Sequence, residues 1–136
     1  ALHVAERSGD LDIGQGAVVC DGLVLAVEAQ EGTDAMLHCV AGLPVDLRGS
    51  PAYRKGVLAK APKPIQDLRV DMPVIGARTI ELAAEAGLSG VAGIEGRLIL
   101  IDRPASRKRC PPMAACGGGC GRRPIWRRGS GRTPWC

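Results

Sequence analysis

No run in this chain approaches the roughly 18 to 20 apolar residues of a membrane-spanning helix, which leaves at most a peripheral contact with a membrane. It also lacks a Gly-x-x-x-x-Gly-Lys-Ser/Thr loop, which excludes a P-loop nucleotide site. Ser8, Ser50, Ser89, Ser106 and Ser130 lie in no nucleophile elbow. Histidine is almost missing: His3 and His38 stand apart, His38 on an expected helix surface, and neither is read as catalytic. No internal repeat is visible. At 136 residues the length suits one domain with a core. The first residue is Ala1 and no signal-like stretch follows it, so the chain is expected to be a piece of something longer.

Acidic residues are absent after residue 104, and that absence divides the chain. Residues 1–104 hold ten Lys/Arg against fourteen Asp/Glu, a net of −4, whereas residues 105–136 hold eight Lys/Arg and no acid, a net of +8. The overall +4 averages two unlike segments, and a nucleic-acid reading would rest wholly on the second. No nucleic-acid partner is expected. Both tryptophans and four of the six cysteines, Cys110, Cys116, Cys120 and Cys136, also fall in the tail, at spacings that match no zinc ribbon. The tail shows no apolar periodicity. Its abrupt change to Arg, Gly, Pro, Cys and Trp reads as a GC-rich frame translated out of register, so the native sequence is expected to end near Asp102 to Ser106. The remaining cysteines, Cys20 and Cys39, are expected to be small buried residues rather than a disulfide.

What is present in residues 1–104 is a mixture of strand and helix signals. Residues 1–9 read as the end of a helix closed by Gly9. Residues 17–20 and 23–28 flank Asp21-Gly22, a strong hairpin signal. A helix is expected over residues 35–41, with Thr33 as its N-cap and Asp34 in the first turn, where the helix dipole favours negative charge. Residues 42–53, with Pro44, Gly49 and Pro51, read as a loop, and residues 56–60 as a strand. Residues 76–86 form an amphipathic helix with Ile80, Ala83 and Ala84 inward and Gly87 as its stop. Residues 90–94 and 97–102, around Glu95-Gly96, read as a second hairpin. Hairpins mixed with strand-to-helix connections predict an α/β fold, a mixed sheet with flanking helices, followed by an irregular tail.

The densest charge pattern runs from Lys60 to Gly76. If extended, at about 3.3 Å per residue, the chain places Asp67, Arg69 and Asp71 on one face and Leu68, Val70, Met72 and Val74 on the other. Pro62 and Pro64 hold the preceding residues extended and stiffen the presentation of Lys60 and Lys63. A solvated edge strand laced with salt bridges would account for this pattern alone. A second acidic loop, with Glu31, Gly32, Thr33 and Asp34, precedes a helix N-terminus, whose unpaired N–H groups favour anions. Capping explains Thr33 and Asp34 but not Glu31. Carboxylates that converge repel unless a cation lies between them, and Mg²⁺ commonly bridges carboxylates and phosphate oxygens. Acids, bases and a helix N-terminus together suggest metal-assisted phosphoryl chemistry if both loops open at one sheet edge. Gly14-Gln15-Gly16 is too short to count as a dinucleotide fingerprint.

Two stretches, residues 12–37 with Glu31-Gly32-Thr33-Asp34 and residues 56–76 with Lys60, Lys63, Gln66 and Arg69-Val70-Asp71-Met72-Pro73, resemble the LpxI family. Its members are UDP-2,3-diacylglucosamine pyrophosphatases of lipid A biosynthesis. The resemblance covers about residues 9–104 and implies an LpxI-type C-terminal catalytic domain there. Residues 1–8 would then be the end of an interdomain linker or helix, and residues 105–136 a basic tail of low order. The family's N-terminal Rossmann-like domain would be missing. The resemblance further implies Mg²⁺-dependent hydrolysis of the substrate diphosphate to UMP and 2,3-diacylglucosamine 1-phosphate (lipid X). Water would attack the phosphorus on the sugar side, in the cytoplasm or at the periphery of the inner membrane. Asp71 matches the family's essential aspartate and is assigned as the catalytic group and a metal ligand, with Glu31, Asp34 and Asp67 as supporting metal ligands. Lys60, Lys63, Gln66, Arg69, Gly32 and Thr33 are assigned to substrate. Self-association is a further expectation. The competing expectation is a non-catalytic nucleotide-sugar-lipid binding module, or an inactive fragment.

Overall fold

The computed structural model describes residues 1–63, 72–94 and 96–101. Helix α1 (Leu2–Asp10) leads into a hairpin of β1 (Gly16–Cys20) and β2 (Leu23–Val27). Helix α2 (Gly32–Ala41), the one-turn α3 (Val45–Arg48), β3 (Lys55–Lys60), β4 (Val74–Ile75), α4 (Ala77–Glu85), β5 (Leu88–Gly93) and β6 (Ile99–Leu100) follow. Four strands form the main sheet in the order β2-β1-β3-β5. β1 is antiparallel to both β2 and β3, and β3 is parallel to β5. Hence β2, β3 and β5 all finish at the same edge of the sheet. The expected mixed α/β architecture is the observed one.

The strand sequences read as near-continuous apolar runs because the inner strands are covered on both faces. Alternate residues of β1 and β3 serve the two faces. Val18 and Leu58 join Met36, Leu37 and Val40 of α2 and Ile80, Leu82 and Ala83 of α4 in the larger core. Ala17 and Ala59 face the other way and pack with Ala5 of α1, Ala61 and Ile94. Small side chains on that face let α1 lie close to the sheet. Leu58, Leu37 and Met36 are almost fully buried, and burial of such a side chain contributes roughly 1.5–3 kcal/mol.

The first hairpin closes as expected. Asp21 (φ 49°) and Gly22 (φ 83°) both take the left-handed conformation of a type I′ turn, matching the twist of the strands. Gly87 (φ 80°) likewise stops α4 where the sequence places the stop. Several local expectations fail. α1 continues through Gly9, which is buried within it, and the left-handed residue is Asp12 (φ 57°), which turns the chain into β1. The loop expected over residues 42–53 contains α3, whose end is held by the Arg48 guanidinium donating to the carbonyls of Leu43, Gly49 and Ala86. Cys39 is exposed on α2, while Cys20 is buried.

The expected second hairpin does not form. β5 pairs in parallel with β3, whereas β6 pairs in parallel with β4 in a separate two-stranded sheet. Leu98 and Leu100 pack against the larger core, and the Ile99 and Ile101 N–H groups donate to the carbonyls of Pro73 and Ile75. The face assignment around β4 is also reversed. Pro73 and Ile75 are buried and Val74 is 40 % exposed, because Ile75 packs with the larger core. Among the described residues, no helix is long and apolar enough to cross a membrane.

Candidate functional site at the carboxyl edge of the sheet

Three pieces of chain meet where β2 and β3 end. The loop before β1 runs beside the exit of β3, with Ala61 N–H donating to the Gln15 carbonyl at 2.8 Å. The exit of β2 carries Glu28, whose N–H donates to the Gly16 carbonyl at 2.8 Å. Helix α2 begins four residues later, at Gly32 (φ 80°). The two loops singled out from the sequence therefore do open at the same edge, as far as the described residues extend.

Lys60 closes this edge. Its ammonium donates to the Thr33 hydroxyl at 2.6 Å, and that hydroxyl donates to Glu28 Oε1 at 2.7 Å. Glu28 Oε2 stands 3.5 Å from Lys60 Nζ, completing a three-residue circuit. The side chains of Lys60 and Glu28 are only 6 % and 12 % exposed. Glu28 Oε2 itself is buried and accepts no hydrogen bond. Its approach to the backbone depends on glycine: a Cβ built on Gly16 would lie 2.4 Å from Glu28 Oε2. Thr33 therefore does not cap α2, which has no side-chain cap, because its hydroxyl is committed to Lys60 and Glu28.

The other assigned residues lie around this circuit. Lys63 Nζ donates to Asp12 Oδ1 at 2.7 Å and approaches the Asp12 carbonyl at 3.4 Å. Asp34 accepts from Arg78 Nε at 2.7 Å across α2 and α4, and this hydrogen bond and charge raise the pKa of the Arg78 guanidinium. Glu31 is exposed, and its Oε1 accepts from Ala29 N–H at 3.2 Å. Gly32 supplies the left-handed entry to α2. Gln66, Asp67, Arg69 and Asp71 lie outside the described residues.

The described residues do not by themselves fit a divalent cation. Among them, no group of three or more His, Cys, Asp or Glu side chains could hold a metal ion. Three of the nearby acids already have cationic partners: Glu28 has Lys60, Asp12 has Lys63 and Asp34 has Arg78.

Sequence reasoning missed Glu28, Gly16, Asp12 and Arg78. Glu28 had a signal: it is a lone acid ending the apolar run of β2. Gly16 had one too, since a glycine at the start of a strand marks a close approach.

A mixed sheet with helices on both faces and charged side chains gathered where β2 and β3 end defines an α/β domain, and that edge is where open α/β sheets receive ligands. Comparison with known proteins narrows the class. The family model described as the LpxI C-terminal domain matches residues 1–113, and the chain belongs to that family. A relative from Caulobacter vibrioides, named UDP-2,3-diacylglucosamine pyrophosphatase LpxI, is 67 % identical over 105 residues. The match covers 77 % of this chain and 38 % of the relative, so the chain spans well under half of that protein.

Proposed function

We infer that this chain is the catalytic domain of a UDP-2,3-diacylglucosamine pyrophosphatase, releasing UMP and 2,3-diacylglucosamine 1-phosphate. The observation that carries the reading is the 67 % identity over 105 residues to a protein of that name. The juxtaposition of Lys60, Thr33 and Glu28 at that edge supports it, because a cation beside a helix N-terminus suits an anionic diphosphate.

In this reading Lys60 and Lys63 meet the diphosphate, with Gln66 and Arg69 contributing from the segment that follows β3. Gly32 and Thr33 present the start of α2. Asp71 is the catalytic group, as magnesium ligand or water-orienting carboxylate. Magnesium is proposed on Asp71, with Glu31, Asp34 and Asp67 as supporting acids, and it would supply charge neutralisation to the phosphoryl oxygens. Asp34 must then share its carboxylate with Arg78. Work in the cytoplasm, with peripheral contact at the inner membrane, follows from a lipid substrate.

The test is UMP release from UDP-2,3-diacylglucosamine in the presence of Mg²⁺. The expected outcome is release by the wild type and its loss in Asp71→Ala with the fold retained. Binding of substrate without UMP release would favour a non-catalytic binding module.

A further inference from the structure

Glu28 lies outside the assigned residues, yet its carboxylate is more deeply buried than those of Glu31 and Asp34, the assigned acids among the described residues. It is nearly buried, its Oε1 accepts a hydrogen bond from the Thr33 hydroxyl, and it stands 3.5 Å from the Lys60 ammonium through Oε2. Two features show that this placement is built rather than incidental. Gly16 leaves room that a Cβ would fill, 2.4 Å from Oε2, and Oε2 is buried there without a hydrogen bond, an arrangement that folding alone disfavours. An apolar residue in its place would satisfy the sheet at least as well.

We propose that Glu28 is a positioning residue that fixes the Lys60 ammonium for an anionic diphosphate ligand, directly through Oε2 and indirectly through the Thr33 hydroxyl. Lysine is a flexible point charge with three rotatable donors. Here one donor is spent on Thr33, and the Glu28 charge 3.5 Å away holds the ammonium in place without taking a hydrogen bond, so the ammonium is positioned before ligand arrives. This rests on the reading of the carboxyl edge as a diphosphate site.

The sign of the effect separates positioning from simple charge. Removing a carboxylate beside a lysine makes the edge more positive, so electrostatics alone predicts tighter binding of an anion. Loss of positioning predicts weaker binding. The probe is inorganic pyrophosphate, titrated calorimetrically into the full chain, with circular dichroism confirming that each variant is folded. Glu28→Gln keeps the shape and an oxygen for Thr33 but loses the charge, and is expected to bind about tenfold more weakly. Thr33→Val is expected to lose a similar factor, and Thr33→Ser, which restores the bridging hydroxyl, to recover most of it. In a Lys60→Met background, Glu28→Gln is expected to have no further effect, since the two act as a unit.

If Glu28→Gln binds as tightly as the wild type or more tightly, while Lys60→Met has lost affinity, the proposal is overturned and the diphosphate reading survives. If the wild type does not bind pyrophosphate, or Lys60→Met binds it unchanged, the reading of the edge fails and the proposal with it. Should Glu28→Gln not fold, the Thr33→Val and Thr33→Ser pair decides: equal affinity in both overturns the positioning circuit.

Discussion

Gly16 and Glu28 are fitted to each other, with the Glu28 carboxylate occupying the space that a side chain at position 16 would fill, 2.4 Å from where its Cβ would lie. Gly16→Ala must displace that carboxylate from Thr33 and Lys60. The expected cost is about 1–3 kcal/mol, the range of overpacking in a filled interior. Gly14→Ala is expected to cost more, because its Cβ would fall 1.8 Å from the Glu28 carbonyl oxygen, and backbone yields less readily than a side-chain tip. Urea denaturation of the two variants beside the wild type checks the order. Equal stability of all three would contradict the close fit.

Lys60→Met leaves a nearly buried carboxylate with the Thr33 hydroxyl as its remaining partner. The expected destabilisation is about 3 kcal/mol, at the low end for breaking a buried ion pair because Glu28 retains slight exposure. Combining Lys60→Met with Glu28→Gln removes the uncompensated charge, so the double variant is expected to be more stable than Lys60→Met alone. Denaturant midpoints of the four proteins in that cycle measure the coupling. Additive losses would indicate that the two side chains do not interact.

Burial pushes the Cys20 thiol pKa up, reinforced by the charge of Asp21 and opposed by Lys55. The reactive species is the thiolate, so a raised pKa means less of it at any pH below that value. Cys20 is expected to resist iodoacetamide at pH 8 in the folded chain and to react once the chain is unfolded. Cys39, exposed on α2, is expected to label early. Peptide mass spectrometry resolves the two. Labelling of Cys20 at the same rate as Cys39 in the native protein would contradict the burial.

Much of this fold was legible because local signals and tertiary packing agree. Asp21-Gly22 between apolar runs gives the first hairpin, and the spacing of Ile80 and Ala83 with Gly87 beyond gives α4. The second hairpin was misread for a physical reason. The pair Glu95-Gly96 has the sequence of a hairpin turn, yet the parallel pairing of β5 with β3 and the packing of Leu98 and Leu100 on the larger core decide where the chain goes, and both depend on residues distant in sequence. The same applies at the site. Thr33 has the sequence of a cap, and only the approach of Lys60, 27 positions away, turns its hydroxyl into a bridge. That the loops after β2 and β3 open at one sheet edge was legible as a condition, and strand direction fulfils it for the described residues. Glu28 was overlooked because a single acid at the end of a strand looks like a solvated terminus until the glycine opposite it is seen.

The central claim is that the diphosphate is held at the carboxyl edge of the main sheet. A second concavity, about 300 Å³, lies on the α1 side and is lined by His3, Glu6, Arg7, Asp10, Ile94 and Arg97 among others. It offers a rival location, because Arg97 and Arg7 could also attract phosphate, although Arg7 is paired with Asp10 at 3.1 Å. The most direct test is a crystal structure of the chain with methylenediphosphonate, which cannot be hydrolysed at its bridging atom. The account predicts phosphonate oxygens within hydrogen-bond distance of Lys60 or Lys63, beside the start of α2. Phosphonate held instead by Arg97 and His3 against α1, with the Lys60–Thr33–Glu28 circuit untouched, would contradict it.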